Sequence, residues 1–540
     1  MKYSAIKGKT NKLGNGSVIA AIVIVVLGLL LGIPLADKFP AYIHAWAQAD
    51  WYSIAIGFHN NGFDFFNPET LIYNKQFPGC WTVDYGDTVT SVDFPIHTYI
   101  VALLMSLFGT SAPWVFRIWT LLCSLAGAWF VYLMCHSLTR STIKSLTVVL
   151  VYMTAPVYAY YMANFLPSAP ALALVAAGLC AYVQFWQQGR QRHWHLAILL
   201  LALAALVRTS QLVVLVAVCG FELLRILRKE EPMRHKWVSA VAAFSVIAAY
   251  YLWNRHLAAQ HGTLFLSNLR PPHNWDDVCN IFDHIRYSWQ WQYFSRLQHW
   301  LVAIAVAAAL AITIWRIAAK KDRDKDDGKL PIGWLAAIWW VGETSFFVAM
   351  MFQYIDHDYY FLDSLFMPCI LLFALSLRAL PEVKGHMATI LCTIALVLLG
   401  GIMFNNAKHN NRHRCKPDDR AYQCYQNHKG SDQWLDTLGV NRDARILSIF
   451  SYPQNTPFIL MGRKGYSLMW HDDKAIGSAM QFPFDYAVIE DTMFREYFCE
   501  HHDLLGRLSR IEGNGCLSLC LLADSVVNNS IDDFFNNKEQ

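Results

Sequence analysis

One carboxylate near the amino end of the sequence stands where it could do chemistry. Asp50 lies in the segment AWAQADWY, residues 45–52, shortly after the first long apolar run. A carboxylate held among aromatic side chains just outside a membrane is costly to desolvate, so such a group usually has a purpose. Asp50 is therefore the first candidate for a general base or for a ligand of a divalent cation. The structural alternative is that Asp50 caps a helix formed by residues 51–58.

The loop that contains Asp50, residues 36–94, is acidic. It has two lysines, Lys38 and Lys75, and seven acids: Asp37, Asp50, Asp64, Glu69, Asp84, Asp87 and Asp93. Asp93 opens the segment DFPIHTY, which also contains His97. These two residues are candidates for substrate binding.

Further along the chain, a few polar residues interrupt apolar sequence. Arg208 separates two short apolar segments, and an anionic headgroup is the natural partner of an arginine in that position. Two other arginines, in the loop 254–298, are alternatives for the same phosphate-binding role: Arg255 and Arg270. The segment QYIDHDYYFL, residues 353–362, contributes three more substrate-binding candidates: His357, Asp358 and Tyr359. Polar ends of membrane spans are common, so each segment alone could be a simple interfacial belt.

The composition indicates an integral membrane protein. The chain has 540 residues, of which 55% are apolar and 16% are charged. A span needs about 20 apolar residues, and eleven runs are candidates: 17–35, 114–135, 145–162, 168–186, 195–207, 211–227, 237–253, 299–317, 332–352, 361–378 and 386–404. Residues 94–108 are apolar but short, and they predict a helix lying on or dipping into the outer face. The net charge of +4 comes from loops between spans, so nucleic-acid binding has no support.

Lysine and arginine set the predicted orientation, because cytoplasmic loops are rich in them. Residues 1–16 carry four lysines and no acid, which predicts a cytoplasmic amino terminus. Eleven crossings then place the loops 36–94 and 254–298 outside, together with everything after Phe404. The lysine-rich run 320–327 is expected to be a solvated cytoplasmic turn.

Residues 405–540 are more polar and contain short strand-like runs such as RILSIF (445–450) and YAVI (486–489), with helix-like pieces near 431–438 and 492–508. They predict a small α/β domain outside the membrane. Of thirteen cysteines, Cys415 and Cys424 are close enough in sequence for a local disulfide, and Cys499 is one of the seven outside the spans. A zinc site from His409, His413 and Cys415 is imaginable, but its spacing matches no standard ligand pattern.

The order of these features carries a resemblance. An amino-terminal span is followed by an acidic outer loop with QADWY, then DFPIHTYIVALLMSLFG, then a late HDYYFL and an outer carboxyl-terminal domain. This resembles the GT-C membrane glycosyltransferases over residues 15–405, and within them the bacterial relatives of protein O-mannosyltransferases and lipid A aminoarabinose transferases. The resemblance implies a polytopic α-helical domain, residues 17–404, with about eleven transmembrane helices and a short outer-face helix. It also implies a bacterial inner membrane, with the carboxyl-terminal domain in the periplasm.

The resemblance implies transfer of a sugar from a polyprenyl-phosphate donor to a glycan, lipid or protein acceptor at the outer face, among membrane lipids. Asp50 would be the catalytic base, no cofactor is certain, and a divalent metal is compatible with the role. The sequence departs from the family pattern at three places. Asp50 is followed by Trp51, whereas the family often has a second acid directly after the first. Pro167 is followed by Ser168, where the family often has another acid. Asp93-Phe94-Pro95 replaces the usual Lys-Pro-Pro.

Two other classes of function fit the composition. A transporter or flippase of a lipid-linked solute would be indicated by inverted repeats and by broken helices at matching positions in the two halves. Neither feature is visible in the sequence. A sensor or assembly scaffold would leave Asp50 and Arg208 without a role. An assay of sugar transfer separates the enzyme from both.

Overall fold

The computed structural model describes residues 14–233, 235–319, 330–417, 420–497, 506–525, 527 and 530–531. The lysine-rich run 320–327, residues 1–13 and Cys499 lie outside the described residues. Helices dominate up to residue 437. In chain order they are α1 (Asn15–Gly32), α2 (Ala45–Asn60), α3 (Ile96–Phe108), α4 (Pro113–Thr139), α5 (Thr142–Thr154), α6 (Pro156–Tyr161), α7 (Ser168–Gln188), α8 (Gln191–Val207), α9 (Leu212–Leu227), α10 (Lys236–His261), α11 (Trp275–His284), α12 (Gln290–Tyr293), α13 (Arg296–Ala318), α14 (Gly333–Ala349), α15 (Gln353–Asp356), α16 (Tyr359–Leu362), α17 (Phe366–Ala379), α18 (His386–Arg414), α19 (Arg420–His428) and α20 (Ser431–Thr437).

Among the described residues, seven helical segments are long and apolar enough to cross a membrane: 15–35, 113–139, 168–188, 209–227, 236–261, 296–318 and 386–414. Four shorter apolar helices accompany them, namely α3, α5, α8 and α17. The chain is thus an integral membrane protein, and the number of eleven crossings stays a prediction.

The predicted span 145–162 is not one continuous helix. The helix stops at Thr154 and resumes at Pro156, and Ala155 between them has ψ 124°. A proline lacks the N–H for the helical ladder and disfavours helical backbone in the residue before it. The run is apolar throughout, so composition alone could not reveal the break.

The predicted helix of residues 51–58 begins earlier than expected. Helix α2 starts at Ala45, directly after His44, whose φ of 54° lies in the left-handed region. Asp50 is therefore the sixth residue of the helix, and its side chain cannot cap the amino end. The expected short helix over 94–108 is confirmed as α3, which packs beside α2.

The carboxyl-terminal part folds as a five-stranded mixed sheet with helices. Its strands are β1 (Ile446–Ile449), β2 (Gly465–Leu468), β3 (Tyr486–Glu490), β4 (Leu508–Gly513) and β5 (Leu517–Leu522), and its helices are α21 (Thr456–Met461), α22 (Asp473–Ala479) and α23 (Asp491–Tyr497). The strand order is β2-β1-β3-β5-β4, with the first three strands parallel and the last two antiparallel to their neighbours. Helix α18 runs through Asn405 to Arg414, so the change in composition at residue 405 falls inside a helix.

The loop 36–94 attaches to the edge of this sheet. The Tyr73 amide donates to the Gly465 carbonyl at 2.9 Å, and the Gly465 amide donates to the Leu71 carbonyl at 3.1 Å. Gly465 is required on its other side as well, because a Cβ there would lie 1.8 Å from the carbonyl oxygen of Ile446. The loop and the sheet are thereby joined by backbone hydrogen bonds.

Cys415 and Cys424, which are close enough in sequence for a local disulfide, are both free thiols. Cys424 is buried in α19, whereas Cys415 is only partly buried just after α18. The imagined zinc ligands His409 and His413 are exposed, and they form no ligand cluster with Cys415 within the described part of the chain.

Candidate active site

Asp50 lines a cavity of about 1260 Å³. The side chain is 1% exposed, because α2 is buried along most of its length between α3 and the carboxyl-terminal residues. His44, Trp46 and Trp51 line the same part of the cavity. The aromatic setting expected for Asp50 is thus present in the fold.

Two amide side chains from the far end of the chain hold the Asp50 carboxylate. Gln454 Nε2 donates to its two oxygens at 3.2 and 3.1 Å, and Asn455 Nδ2 donates to Oδ1 at 2.8 Å. The orientation of Gln454 is fixed by Trp81, whose indole N–H can only donate and does so to Gln454 Oε1 at 2.6 Å. The amide N–H groups must therefore point at Asp50.

Burial and these hydrogen bonds shift the pKa of Asp50 in opposite directions. Desolvation raises the pKa of Asp50 to about 7, while the amides of Asn455 and Gln454 favour the ionised form and lower it. A carboxyl group that titrates near neutral pH can accept a proton and release it again, as a general base must.

Arg208 lies between two carboxylates in the same cavity. Its Nε donates to Asp363 Oδ2 at 2.7 Å, its Nη2 lies 2.6 Å from the same oxygen, and its Nη1 lies 3.7 Å from Asp93 Oδ2. Thr209 donates to the other oxygen of Asp93 at 2.8 Å. Arg208 thus carries one positive charge among two negative ones, which limits its attraction for a further anion.

The other two predicted arginines differ in position. Arg270 lines the cavity at its exposed rim. Within the described residues, no carboxylate lies within salt-bridge distance of it. Arg255 is exposed on α10 and does not line the cavity.

In the segment 353–362, some predicted residues line the cavity and one lies in the wall behind it. His357 and Tyr359 line the cavity, and burial lowers the pKa of His357 to about 4, so its imidazole is neutral. Asp358 is fully buried behind them. Its carboxylate accepts from Tyr161 at 2.8 Å and from Arg414 at 2.5 Å, and lies 3.0 Å from His44 Nε2. Asp358 thus holds His44 against the cavity wall.

His97 lies apart from this group. It is 3% exposed, accepts from the Trp119 indole N–H at 3.0 Å and packs its ring against Phe116. It does not line the cavity.

Away from Asp50 the cavity becomes an apolar groove, lined by residues of α9 and α14: Leu212, Val213, Val216, Ala217, Ile338, Val341, Gly342 and Phe346. A Cβ at Gly342 would lie 2.7 Å from Val213 Cγ1, so the glycine allows the two helices to approach closely. Val216 is 51% exposed and Val341 is 69% exposed. The groove therefore opens on the apolar surface of the protein.

Sequence reasoning missed Gln454, Asn455 and Asp363. The first two stand in YPQN, which signals only a turn, and Asp363 lies in the apolar run 361–378. Nothing local in the sequence marks any of them as part of a site.

The surroundings of Asp50 do not fit a metal ion. Its oxygens face amide N–H donors, and the nearby Asp93 and Asp363 carboxylates are turned to Arg208. Among the described residues, Asp50 belongs to no group of three or more His, Cys, Asp or Glu side chains close enough to share an ion.

Residues 93–253 match the family of dolichyl-phosphate-mannose-protein mannosyltransferases. The fold is similar to that of an oligosaccharyltransferase from Archaeoglobus fulgidus, with a TM-score of 0.52 at 10% identity over 95% of this chain and 74% of that one. The same archaeal enzyme, AglB, in complex with an inhibitory peptide and a dolichol-phosphate, gives a TM-score of 0.50 at 10% identity over 96% and 75%.

ArnT from Cupriavidus metallidurans has a TM-score of 0.47 at 10% identity over 94% of this chain and 98% of that one, which is too low to bear on the fold. No curated protein matches the sequence. The matched family and the fold shared with the archaeal enzyme place this chain in the GT-C superfamily of membrane glycosyltransferases.

Proposed function

We propose that the chain transfers a sugar from a polyprenyl-phosphate donor to an acceptor at the outer face of a bacterial inner membrane, with Asp50 as the general base. One observation carries the proposal. A single cavity joins a buried carboxylate, held by amides and with a pKa near 7, to an apolar groove that opens on the exposed apolar surface of the protein.

The groove suits the chain of a polyprenyl donor. Apolar walls from α9 and α14 bind isoprenoid units by removing them from lipid and water, without a need for polar contacts. Because the exposed Val216 and Val341 are part of its wall, a lipid-anchored substrate can enter sideways from the membrane. The archaeal AglB complex with dolichol-phosphate is in keeping with such a donor.

The donor phosphate needs positive charge at the polar end of the groove. Arg208 and Arg270 both line the cavity, and of these two only Arg208 has carboxylate partners within the described residues. We assign Arg270 to the first contact with the phosphate. Arg208 would join that contact when Asp93 moves away from its weaker ion pair of 3.7 Å. Arg255 has no place in this scheme.

The chemical step is a displacement at the anomeric carbon. An acceptor oxygen or nitrogen forms a bond to that carbon while the bond to the phosphate oxygen breaks, and polyprenyl phosphate leaves with the electron pair. The acceptor proton passes to a carboxylate oxygen of Asp50. Gln454 and Asn455 keep that carboxylate in place, while His44, His357 and Tyr359 offer polar and aromatic surface to the sugar or the acceptor.

The test is transfer of radiolabelled sugar from synthetic polyprenyl-phosphate sugars to membrane extracts by the purified chain in sealed proteoliposomes. We expect label in a glycan, lipid or protein product with the wild type and none with Asp50→Asn. Movement of intact donor across the bilayer without any product would instead support a flippase and reject the transfer.

A further inference from the structure

A second group of chemically reactive side chains lies in the carboxyl-terminal part, away from the cavity floor. Cys424 and His428 stand one helical turn apart on the same face of α19. Glu490, the last residue of β3, faces them. All three are at most 1% exposed, and their ligand atoms lie within 4.8 Å of one another.

The distances are close to those of a metal centre. Cys424 Sγ lies 3.7 Å from His428 Nδ1, and His428 Nδ1 lies 4.0 Å from Glu490 Oε2. Zinc–ligand bonds of about 2.0–2.3 Å in tetrahedral geometry separate sulfur from nitrogen by about 3.5 Å and nitrogen from oxygen by about 3.3 Å. The first separation nearly fits, and the second needs Glu490 to approach by about 0.7 Å.

The carboxylate of the group is only half satisfied. Glu490 Oε1 accepts from Asn427 at 2.7 Å, whereas Glu490 Oε2 has no hydrogen-bond partner within the described residues. His428 Nδ1 donates to the Cys424 carbonyl at 2.9 Å, so zinc can take this nitrogen only after its proton has moved to Nε2, which has no partner in the same residues. An unpartnered carboxylate oxygen at full burial costs stability unless a cation or a proton satisfies it.

We propose that Cys424, His428 and Glu490 bind a zinc ion, with water in the fourth position. Thiolate, imidazole and carboxylate are the ligand types that zinc takes. One thiolate and one carboxylate balance the two positive charges, so the buried centre is neutral. Binding releases the proton of the Cys424 thiol to solvent and moves the His428 proton from Nδ1 to Nε2.

The position of the site gives it a structural role. It ties α19 to the end of β3, and the backbone of Tyr452 hydrogen-bonds to the Cys424 sulfur. Tyr452 is two residues before Gln454, which holds Asp50. The zinc ion would thus stiffen the loop that holds the Asp50 carboxylate. The proposal does not depend on the proposed sugar transfer.

The experiment uses the full chain in detergent, stripped with chelator and then titrated with Zn²⁺ or Co²⁺. We expect about one equivalent of metal and, with Co²⁺, a thiolate-to-cobalt charge-transfer band. Cys424→Ala, His428→Ala and Glu490→Gln should each weaken binding more than about 100-fold. Cys520→Ala, which removes a buried cysteine outside the group, should bind like the wild type.

Glu490→Gln keeps an acceptor for Asn427, so it tests the site even where the other two variants fail to fold. Zn²⁺ should raise the thermal midpoint of the wild type and leave that of Glu490→Gln unchanged. A wild type without a charge-transfer band, or a Glu490→Gln variant that binds as tightly as the wild type, overturns the proposal.

Discussion

Gln454 Nε2 lies 3.1 Å from one carboxylate oxygen of Asp50 and 3.2 Å from the other, although 404 residues separate the two in the chain. Because of this contact, the position of the Asp50 carboxylate depends on the carboxyl-terminal part of the chain. Gln454 is itself fixed by Trp81, so the geometry at Asp50 depends on both the loop 36–94 and the loop after β1.

Asp50→Asn should abolish transfer while leaving the protein folded. Asparagine keeps the size of the side chain and one acceptor for the amides, but it cannot take the acceptor proton. Loss of a general base costs about two to four decades in rate. Rates with saturating donor measure the effect, and Asp37→Asn, at an exposed acid of the same loop, is the matched control. Retention of near-full transfer by Asp50→Asn would remove Asp50 from the mechanism.

The pH dependence of transfer should reflect the ionisation of Asp50. Because a base works in its ionised form and the pKa of Asp50 is about 7, the rate should rise with pH and level off above about 7. Gln454→Met removes a donor that favours the carboxylate, so it should raise that pKa and move the rising limb to higher pH. Gln426→Met, at an exposed position in α19, should not move it. A limb that stays in place in Gln454→Met would contradict the assignment.

Arg270→Ala should raise the KM for the donor about tenfold, the size expected for loss of one charge-assisted contact. The KM for the acceptor should not change. Arg255→Ala is the control, since Arg255 lies in the same region of the chain but outside the cavity. Arg208→Ala is a poorer test, because it leaves Asp93 and Asp363 unpaired and could unfold the site. Equal donor KM values for the Arg270 and Arg255 variants would move the phosphate contact elsewhere.

Val216→Trp should obstruct the apolar groove. We expect a loss of activity with long polyprenyl donors and a smaller loss with donors of one or two isoprene units, which need less of the groove. Comparing kcat/KM across donor lengths measures this. Leu199→Trp adds the same bulk to an exposed position outside the cavity and should have no length dependence. The same response in both variants would argue against the groove as the donor site.

A reporter fused to Gln540 should report an extracytoplasmic location. The distribution of lysine and arginine along the chain motivates this expectation. An alkaline phosphatase fusion should be active in intact cells, and a fluorescent protein that matures only in the cytoplasm should stay dark. The opposite pair of results would place the cavity on the cytoplasmic side.

The sequence predicts much of the helical part and six of the residues that line the cavity: Asp50, Asp93, Arg208, Arg270, His357 and Tyr359. The GT-C resemblance is confirmed by the family match over residues 93–253 and by the shared fold. It could be predicted because long apolar runs are local signals in the sequence. The break at Pro156 and the start of α2 at Ala45 depend on backbone geometry that composition does not express. Asp50 could be identified from the sequence because a carboxylate among aromatic side chains is costly to desolvate in any fold.

The partners of Asp50 and Arg208 could not be predicted for a different reason. Gln454 and Asn455 are ordinary turn residues until tertiary packing brings them to α2, and Asp363 is concealed in an apolar run. His97 differs from these residues, because the sequence predicts it as part of a site and the fold places it outside the cavity, where its Nδ1 accepts from Trp119 of α4.

The long separation between Asp50 and its amide partners also has a consequence for biosynthesis. Ribosomes add about 5–20 residues per second, so about 20–80 s pass between synthesis of Asp50 and synthesis of Gln454. During that time the carboxylate lacks the two side chains that hold it. A nascent or truncated chain can therefore occupy the membrane without a positioned Asp50 carboxylate, and competence for the proposed transfer would arrive only once Gln454 and Asn455 have been made.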